Sequence, residues 1–201
     1  NPLGTPSGKI EIFSQTIDSF NYDDCRGHPI WLEPSEWLGT PDKRYHLHLL
    51  SNQPRNKLHS QMDHGEHSLS IKIKGHEPVE INPEDATARS INNGDIVRVF
   101  NDRGACICGA FITEDVMPGV VIISTGSWYD PYDPTDPSSM CKHGNPNMLS
   151  PDIGTSKLSQ GPAAHSCLVE VELYNGPPVT VTAYEPPEII KTEDIGDSND
   201  K

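Results

Sequence analysis

The sequence has no long hydrophobic run and little positive charge. Hydrophobic residues make up 34% of its 201 positions, and no stretch approaches the roughly 18 apolar residues that span a bilayer. We therefore expect no membrane insertion. Lysine and arginine number 15 against 29 acidic residues, which gives a net charge of −14 and argues against nucleic acid as a partner. A polyanionic ligand would need a local group of cations.

A disulfide framework and a metal site are also disfavoured. The 5 cysteines are odd in number, and no two of them have CxxC spacing. Cys106 and Cys108 alternate along a predicted strand, so they point to one face, either as core residues or as a metal pair. We predict core residues. His59, His64 and His67 share one stretch, but their spacing matches no helical zinc pattern, and we assign no metal ligand.

The common motifs of nucleotide-binding proteins and hydrolases are missing as well. The chain contains no Gly-rich dinucleotide fingerprint, no P-loop and no serine hydrolase elbow. A function of those classes would need residues that these motifs do not describe.

Turn-forming residues, in contrast, are abundant. The 19 prolines and 16 glycines suit a turn-rich β domain. Asn82 is placed to cap a short helix that starts at Pro83, and Asn101–Gly104 is placed to join two strands as a hairpin. The strand candidates are Tyr45–Leu50, Val79–Ile81, Asp95–Phe100, Ala105–Ile112, Val120–Ser124 and Cys167–Leu173. Short strands with one or two short helices predict a closed β-barrel.

The barrel is predicted to cover residues 42–176, with different segments on either side. Residues 1–41 form an extended leader rich in Pro, Gly, Trp and Asp, with one short strand at Lys9–Phe13. Its Trp31 and Trp37 are expected to pack on another surface, such as the rest of a parent protein. Residues 177–201 form an irregular tail with an acidic end, partly disordered or clasped onto a partner. A chain that starts at Asn1 without a signal-peptide pattern reads as a fragment or a processed product.

The most informative stretch is Ser51–Gln61, which follows the first strand candidate. It contains one apolar side chain, Leu58, among hydroxyls, amides, bases and a proline. Such a loop at a strand end can surround a polar ligand, with Arg55 and Lys57 placed to meet phosphate. An ordinary solvated loop is the alternative.

Two further polar clusters follow at Lys142–Leu149 and Asp152–Pro162. Their amides offer both a donor and an acceptor, which suits the edge of a planar heterocycle. Ordinary turns are again the alternative. The aromatic segment Thr125–Pro134 precedes these clusters, and it either lines a ligand cleft or covers an interface with another domain.

Taken in order, these segments resemble the last domain of molybdenum enzymes of the dimethyl sulfoxide reductase family, and most closely its trimethylamine N-oxide and biotin sulfoxide reductases. The resemblance covers residues 5–175 and rests on Thr5–Glu11, Ser51–Gln61, Asn93–Gly104, Pro118–Val121, Trp128–Pro131, His143–Asn147 and Asp152–Pro162 together. It implies a mainly β fold with short helices, a double-psi β-barrel of the aspartate-decarboxylase-like kind. It also implies that the barrel binds part of a bis(molybdopterin guanine dinucleotide) molybdenum cofactor.

The resemblance places the family's cofactor contacts on the three polar clusters. They are Ser51, Asn52, Gln53, Pro54, Arg55, Lys57, His59, Ser60, Gln61, Asn145, Asn147, Gln160 and Gly161. Relatives often carry arginine where this chain has Lys57, and a lysine keeps the charge but loses the two-pronged geometry, so Arg55 is a second candidate for that role. No catalytic residue is implied, because the family's molybdenum-ligating serine lies on an earlier domain.

By the same resemblance, the chain is the C-terminal portion of a reductase that takes the oxygen atom from trimethylamine N-oxide, or from a related N-oxide or S-oxide. The expected partners are the remainder of the enzyme, with its molybdenum-ligating serine, and an electron-donating cytochrome. We expect a periplasmic enzyme, with the cytoplasm as the alternative for a biotin sulfoxide type. A β-barrel for protein interaction and a metal-storage protein are the other hypotheses. The chain alone is expected to be inactive.

Overall fold

Six short strands close into a barrel in a computed structural model that describes residues 1–186 and 189. The strands are β1 (Leu47–Leu50), β2 (Pro78–Ile81), β3 (Ile96–Phe100), β4 (Ala105–Ile112), β5 (Val120–Ile123) and β6 (Leu168–Leu173). Their order around the barrel is β1-β5-β2-β4-β3-β6. The predicted mainly β fold with a closed barrel is therefore confirmed, and each strand lies within about two residues of its predicted bounds. The double-psi crossing stays a prediction.

Two strand pairs in the barrel are parallel, and they decide which loops meet. β1 pairs with β5 and β2 pairs with β4 in parallel, whereas the remaining neighbours are antiparallel. β3 and β4 form the predicted hairpin, in which Phe100 lies opposite Ala105 and the Asn101 side chain accepts a hydrogen bond from Arg103 N. Closure of the sheet leaves no exposed strand edge in this barrel.

The barrel interior is filled by alternate apolar residues of the strands. Leu49, Val79 and Ile123 have no exposed surface. Cys106 and Cys108 are fully buried with their Sγ atoms 3.8 Å apart, as the sequence predicted for core residues. Burial raises the pKa of the Cys108 thiol, which keeps it protonated and inert.

The helices are short. They are α1 (Gln15–Asp18), α2 (Glu66–Leu69) and α3 (Pro83–Ala88), with a 3-10 helix at Pro146–Met148. At α3 the Asn82 Oδ1 accepts a hydrogen bond from Glu84 N at 2.9 Å, which confirms the predicted cap. Across the described residues no helix combines the length and the apolar character needed to cross a bilayer.

The leader differs from its prediction. The expected strand at Lys9–Phe13 is wrong: these residues form no strand, and Ile10 and Ile12 are 83% and 80% exposed. No neighbouring strand lies there to accept their backbone hydrogen bonds, and α1, capped by Ser14, follows instead. Trp31 packs edge-on against Trp37, with ring centroids 6.0 Å apart. Packing of this leader on the rest of a parent protein stays a prediction.

The tail is described only in its first part. Thr182 N donates to Asp130 Oδ2 at 2.6 Å, and Tyr184 OH donates to Asp63 Oδ2 at 2.8 Å, so residues 182–184 lie against the barrel. Residues 187, 188 and 190–201, on which most of the predicted disorder or clasping falls, lie outside the described residues.

Candidate functional site

The polar turn 51–61 and the segment that follows β5 meet at one end of the barrel. Because β1 and β5 are parallel, the residues after both strands emerge at the same edge. Thr125 N donates to Asn52 O at 3.0 Å, and the Ser124 hydroxyl donates to Asn52 Oδ1 at 2.7 Å. We call residues 124–128 the bridging segment, because they also reach the second polar cluster.

The bridging segment connects the turn 51–61 to the loop 142–149. Asn145 Nδ2 donates to Ser127 O at 2.9 Å, and the Asn145 Oδ1 accepts from Asn147 N at 2.9 Å, which caps the 3-10 helix. Trp128 Nε1 donates to Ser60 O at 2.8 Å. Two of the three predicted polar clusters are therefore held together by main-chain and side-chain hydrogen bonds.

Gly126 allows this contact because it carries no side chain. Its φ of +98° is disfavoured for other residues, and a Cβ built there would lie 1.7 Å from His59 O. His59 itself has a left-handed φ of 51°, an uncommon conformation for a residue that is not glycine. The turn and the bridging segment thus touch backbone to backbone, which fixes where the side chains of the turn point.

The third cluster, residues 152–162, folds back on itself and joins the site through His165. Thr155 N donates to Gly161 O at 2.8 Å, and Gln160 Nε2 donates to Ser156 O at 2.9 Å. His165 accepts twice: its carbonyl oxygen lies 2.5 Å from His48 Nε2, and its Nδ1 lies 3.4 Å from Ser51 N. This connection places the end of the third cluster beside the first residue of the turn.

A cleft of about 480 Å³ lies between the third cluster and the leader. Its walls include Glu33 and Pro34 on one side and Gly154, Thr155 and His165 on the other. The leader also grips the third cluster directly, because Asp24 accepts from Lys157 N at 3.0 Å and Asp23 pairs with Lys157 Nζ at 2.6 Å. The leader thus contributes to the walls of the site, a role that the sequence did not suggest.

Most of the predicted contact residues present polar groups at the surface. Asn52, Gln53, Arg55, His59, Ser60, Gln61, Asn147 and Gln160 are exposed, whereas Ser51, Pro54, Asn145 and Gly161 are half-buried. Gln53 Nε2 lies 3.0 Å from His59 Nδ1. Within residues 1–186 Arg55 forms no ion pair. Amides, hydroxyls and one unpaired guanidinium suit a ligand with both heterocycles and phosphates.

Lys57 is the exception, and its expected phosphate contact does not agree with its position. Its side chain has no exposed surface, and its Nζ lies 2.7 Å from Asp63 Oδ1 and 2.9 Å from Glu77 Oε2. An ammonium enclosed by two carboxylates cannot reach a ligand at the surface. Arg55 is consequently the cation of this turn that faces outward.

Lys57 belongs to a buried group of four charged side chains that sequence reasoning missed. We call Lys57, Asp63, Lys72 and Glu77 the charged cluster. Lys72 Nζ lies 3.0 Å from Asp63 Oδ1 and 2.6 Å from Glu77 Oε2, so each ammonium contacts both carboxylates. The only signal in the sequence is the presence of two lysines and two acids within one stretch, which is ordinary for a surface loop.

Neutral polar groups complete the hydrogen bonding around the charged cluster. The Ser127 hydroxyl donates to Glu77 Oε2 at 2.8 Å, and Trp128 N donates to Asp63 Oδ2 at 3.1 Å. Tyr184 OH lies 2.8 Å from the same Oδ2 and 3.0 Å from His143 Nε2. The bridging segment and Tyr184 therefore both contact the charged cluster.

The protonation states within the charged cluster follow from burial and pairing. Burial opposes ionisation of Asp63, but the hydrogen bond from Lys57 and the charge of Lys72 outweigh it and hold the pKa of Asp63 well below its usual range. Burial and the nearby Lys72 lower the pKa of His143 to about 4, so its imidazole is neutral at pH 7. His143 Nδ1 donates to Trp128 O at 3.0 Å, which leaves Nε2 of the neutral ring without a proton. Burial and the hydrogen bond to Asp63 raise the pKa of the Tyr184 phenol.

In the part of the chain that the structure describes, no three His, Cys, Asp or Glu side chains are grouped so that they could hold a metal ion. Ser51, His59 and Ser60 carry chemically tempting groups, but their contacts are with the bridging segment, Gln53 and His165.

Comparison with known proteins supplies the family context for this surface. Residues 47–168 match the family described as "Molydopterin dinucleotide binding domain", a range that contains strands β1 to β5 and all three polar clusters. The chain is 49% identical over 187 residues to "Dimethyl sulfoxide/trimethylamine N-oxide reductase" of Cereibacter sphaeroides, covering 93% of this chain and 23% of the relative. It is 52% identical over 184 residues to "Trimethylamine-N-oxide reductase 1" of Escherichia coli K12, covering 90% of this chain and 22% of the relative.

The fold is also found in a solved structure of low sequence identity. Acetylene hydratase from Pelobacter acetylenicus superposes with a TM-score of 0.68 at 19% identity, over 86% of this chain and 24% of that protein. The chain thus spans less than a quarter of the length of these curated relatives and about a quarter of the solved one. The barrel with its loops is one part of much larger proteins in every one of these comparisons.

Proposed function

The chain belongs to the molydopterin dinucleotide binding domain family, and from that premise we propose that it is the C-terminal cofactor-binding portion of a molybdenum reductase. The proposed reaction is removal of the oxygen atom of trimethylamine N-oxide, or of a related N-oxide or S-oxide, and its release as water. Support for the reductase activity comes from 49% and 52% identity to reductases of those names. The cofactor that we propose is bis(molybdopterin guanine dinucleotide) with molybdenum.

The observation that carries this proposal is the meeting of the three polar clusters at one barrel end. The turn 51–61 touches the bridging segment through Asn52, and the loop 142–149 touches it through Asn145. His165, three residues after the third cluster, contacts the turn at Ser51. The exposed groups at this end are donors and acceptors, with Arg55 as a cation that forms no ion pair among residues 1–186. A dinucleotide presents phosphates and heterocycle edges, and this set of groups complements both.

The roles of the individual contacts follow from their chemistry and exposure. Arg55 is proposed to meet phosphate, because its guanidinium is exposed and has no carboxylate partner in the described chain. Ser51, Asn52, Gln53, Pro54, His59, Ser60, Gln61, Asn145, Asn147, Gln160 and Gly161 are proposed to surround the heterocycles and the sugar. Lys57 is proposed to act from inside, through the position of the turn.

Oxygen-atom transfer is the chemistry that the cofactor supplies when bound. The residues of this chain bind and orient it and exclude water from its dinucleotide part. In line with this division, we propose that the molybdenum-ligating serine lies on the remainder of the enzyme, outside this chain. The exposed leader residues Ile10 and Ile12 are proposed to pack on that remainder.

The wider setting is proposed from the named reductases. We propose an enzyme of anaerobic respiration in the periplasm that receives electrons from a cytochrome. A cytoplasmic biotin sulfoxide type is the alternative, and the sequence that precedes this chain in the full-length gene would distinguish them. A twin-arginine signal there supports the periplasmic enzyme.

The experiment that tests the proposal is analysis of the full-length enzyme for molybdenum and for guanine nucleotide released by acid. Both are expected in stoichiometric amounts. Arg55→Met is expected to weaken cofactor binding about tenfold, the scale of one lost hydrogen bond to a charged group. Arg44→Met is the matched control, because Arg44 is exposed and its partner is Asp102, outside the polar clusters. Active enzyme without guanine nucleotide would refute the proposal.

A further inference from the structure

We propose that the charged cluster is the device that positions the turn 51–61, and that Tyr184 couples the segment after β6 to that turn. The inference rests on the proposed function only in taking the turn as a cofactor contact. Each member acts through the backbone that carries it. Lys57, Asp63, Lys72, Glu77 and Tyr184 are therefore positioning residues and not catalytic residues.

The positions of the four charged side chains along the chain link the turn 51–61 to the barrel wall. Lys57 is in the middle of the turn 51–61, and Asp63 lies just beyond it. Glu77 directly precedes β2, the strand that pairs with both β4 and β5. The ion pair between Lys57 and Glu77 thus ties the centre of the turn to the barrel wall, across 20 positions of sequence.

Buried charges impose a fixed geometry on the groups that carry them. The side chains of all four residues are at most 1% exposed, so no water screens them. Buried charges are tolerated only where their partners are well placed, and here each ammonium must face both carboxylates. A sideways shift of the turn would separate Lys57 from at least one of them. An apolar cluster of similar volume would tolerate such a shift, because apolar contacts are not directional.

The bridging segment is hydrogen-bonded to two of the same charged side chains. Ser127 donates to Glu77 through its hydroxyl, and Trp128 donates to Asp63 through its main-chain nitrogen. Asp63 and Glu77 therefore hold the turn 51–61 and the bridging segment in position relative to each other.

Tyr184, which lies in the segment after β6, also contacts the charged cluster. Its hydroxyl lies 2.8 Å from Asp63 Oδ2, and its ring packs against Trp128 with centroids 5.4 Å apart. Asp130 holds the same segment by accepting from Thr182 N and Ala183 N, at 2.6 and 3.1 Å. A displacement of residues 182–184 would remove a hydrogen bond from Asp63 and leave the Trp128 ring uncovered. The position of this segment is thereby linked to the turn.

The test is hydrogen exchange of the full-length enzyme, followed by mass spectrometry, together with the rate at which guanine nucleotide is released. Lys72→Met removes one corner of the charged cluster without altering the turn itself. We expect peptides that cover 51–61 and 124–128 to exchange at least tenfold faster, while peptides from β3 and β4 change less than twofold. Nucleotide release is expected to accelerate at least fivefold.

Tyr184→Phe is the milder variant, because it deletes one hydroxyl and keeps the ring. It is expected to accelerate exchange in the 51–61 peptide about threefold, less than the full effect of a lost hydrogen bond to a charged group, because Asp63 keeps its contacts with Lys57, Lys72 and Trp128. It also carries the test if Lys72→Met does not accumulate as folded protein. The control is Arg89→Met, which removes the ion pair with Glu170 on the outside of the barrel. This control is expected to leave exchange at 51–61 and nucleotide release within twofold of wild type.

Unchanged exchange at 51–61 in Tyr184→Phe would overturn the coupling of the tail, and unchanged or uniformly faster exchange in Lys72→Met would overturn the positioning role. Both outcomes are separate from failure of the proposed function. If the wild-type enzyme holds no guanine nucleotide, the proposed function fails, and the exchange comparison still decides the inference.

Discussion

The barrel core and the charged cluster are both buried, but the core is apolar whereas the cluster consists of charged side chains. Leu49 and Val79 in the core have no exposed surface, and neither have the side chains of Lys57 and Asp63. The core gains stability from removal of apolar surface from water, which depends on area and hardly on direction. The charged cluster depends on direction, because each ammonium must face two carboxylates. This molecule thus uses apolar packing to close the barrel and ionic pairing to fix one loop upon it.

The largest effect is expected when one charge of the charged cluster is removed. Lys57→Met leaves two buried carboxylates facing the single ammonium of Lys72, and we expect it to lower the free energy of unfolding by about 4 kcal/mol. Urea denaturation measures this difference. Arg55→Met is the control in the same turn, and because Arg55 is exposed it should change stability by less than about 0.5 kcal/mol. If Lys57→Met lowered the free energy of unfolding by less than about 1 kcal/mol, the charged cluster would not depend on exact pairing of its charges, and the contrast with the core would fail.

A smaller effect is expected from a cavity in the core. Leu49→Ala removes a fully buried side chain from β1 and should lower the free energy of unfolding by about 3 kcal/mol. Leu58→Ala is the control, because Leu58 is 62% exposed and lies in the turn. Leu49→Met keeps most of the volume, and a cost near about 1 kcal/mol would show the tolerance that apolar packing allows. If Leu49→Met lowered the free energy of unfolding as much as Leu49→Ala, packing in the core would depend on exact geometry as strictly as pairing in the charged cluster.

The smallest effect is a pH dependence that originates beside the charged cluster. The pKa of His143 is about 4 in the fold against 6.5 in the unfolded chain, because burial and Lys72 oppose its protonation. The unfolded chain therefore takes up a proton first, so the contribution to stability is complete above pH 6.5 and is lost as the pH falls towards 4. The full loss is at most about 3 kcal/mol.

This pH dependence can be assigned by mutation. Burial lowers the pKa of His76 as well, so some loss of stability on acidification is expected without His143. His143→Asn should reduce the slope of unfolding free energy between pH 6.5 and 4, measured by urea denaturation at each pH. Equal slopes in the variant and in wild type would contradict the assignment. Below pH 3.8 a further loss is expected from Asp63, whose pKa is held down by Lys57 and Lys72.

The barrel was predictable from the sequence because its signals are local. In β3 the residues of Ile96–Phe100 alternate between buried and half-buried, which is the period of a strand with one face inward. Asn82 followed by Pro83 predicted the start of α3, since a cap requires only neighbouring residues. The predicted strand at Lys9–Phe13 failed for a related reason. A strand also needs a partner, and local alternation does not report whether one is near.

The candidate site was predictable in part. Residues 51–61 were identified by composition, and the parallel pairing of β1 with β5 explains why they meet the bridging segment. The sequence did not predict that Lys57 turns inward while Arg55 faces outward, although the two are separated by one residue. The choice is made by Asp63 and Glu77, which enclose the ammonium of Lys57.

The spacing of apolar residues along the chain was enough to specify a β-barrel with polar loops, because burial of alternate residues follows from that spacing. Which charges of the turn 51–61 face outward and which lie inside depended on how the folded chain brings distant segments together. Ionic pairing depends on distances of a few ångströms between groups that are remote in sequence, as with Lys57 and Glu77, which are 20 positions apart and whose Nζ and Oε2 atoms lie 2.9 Å apart. Such distances exist only after the barrel has closed and its loops have met.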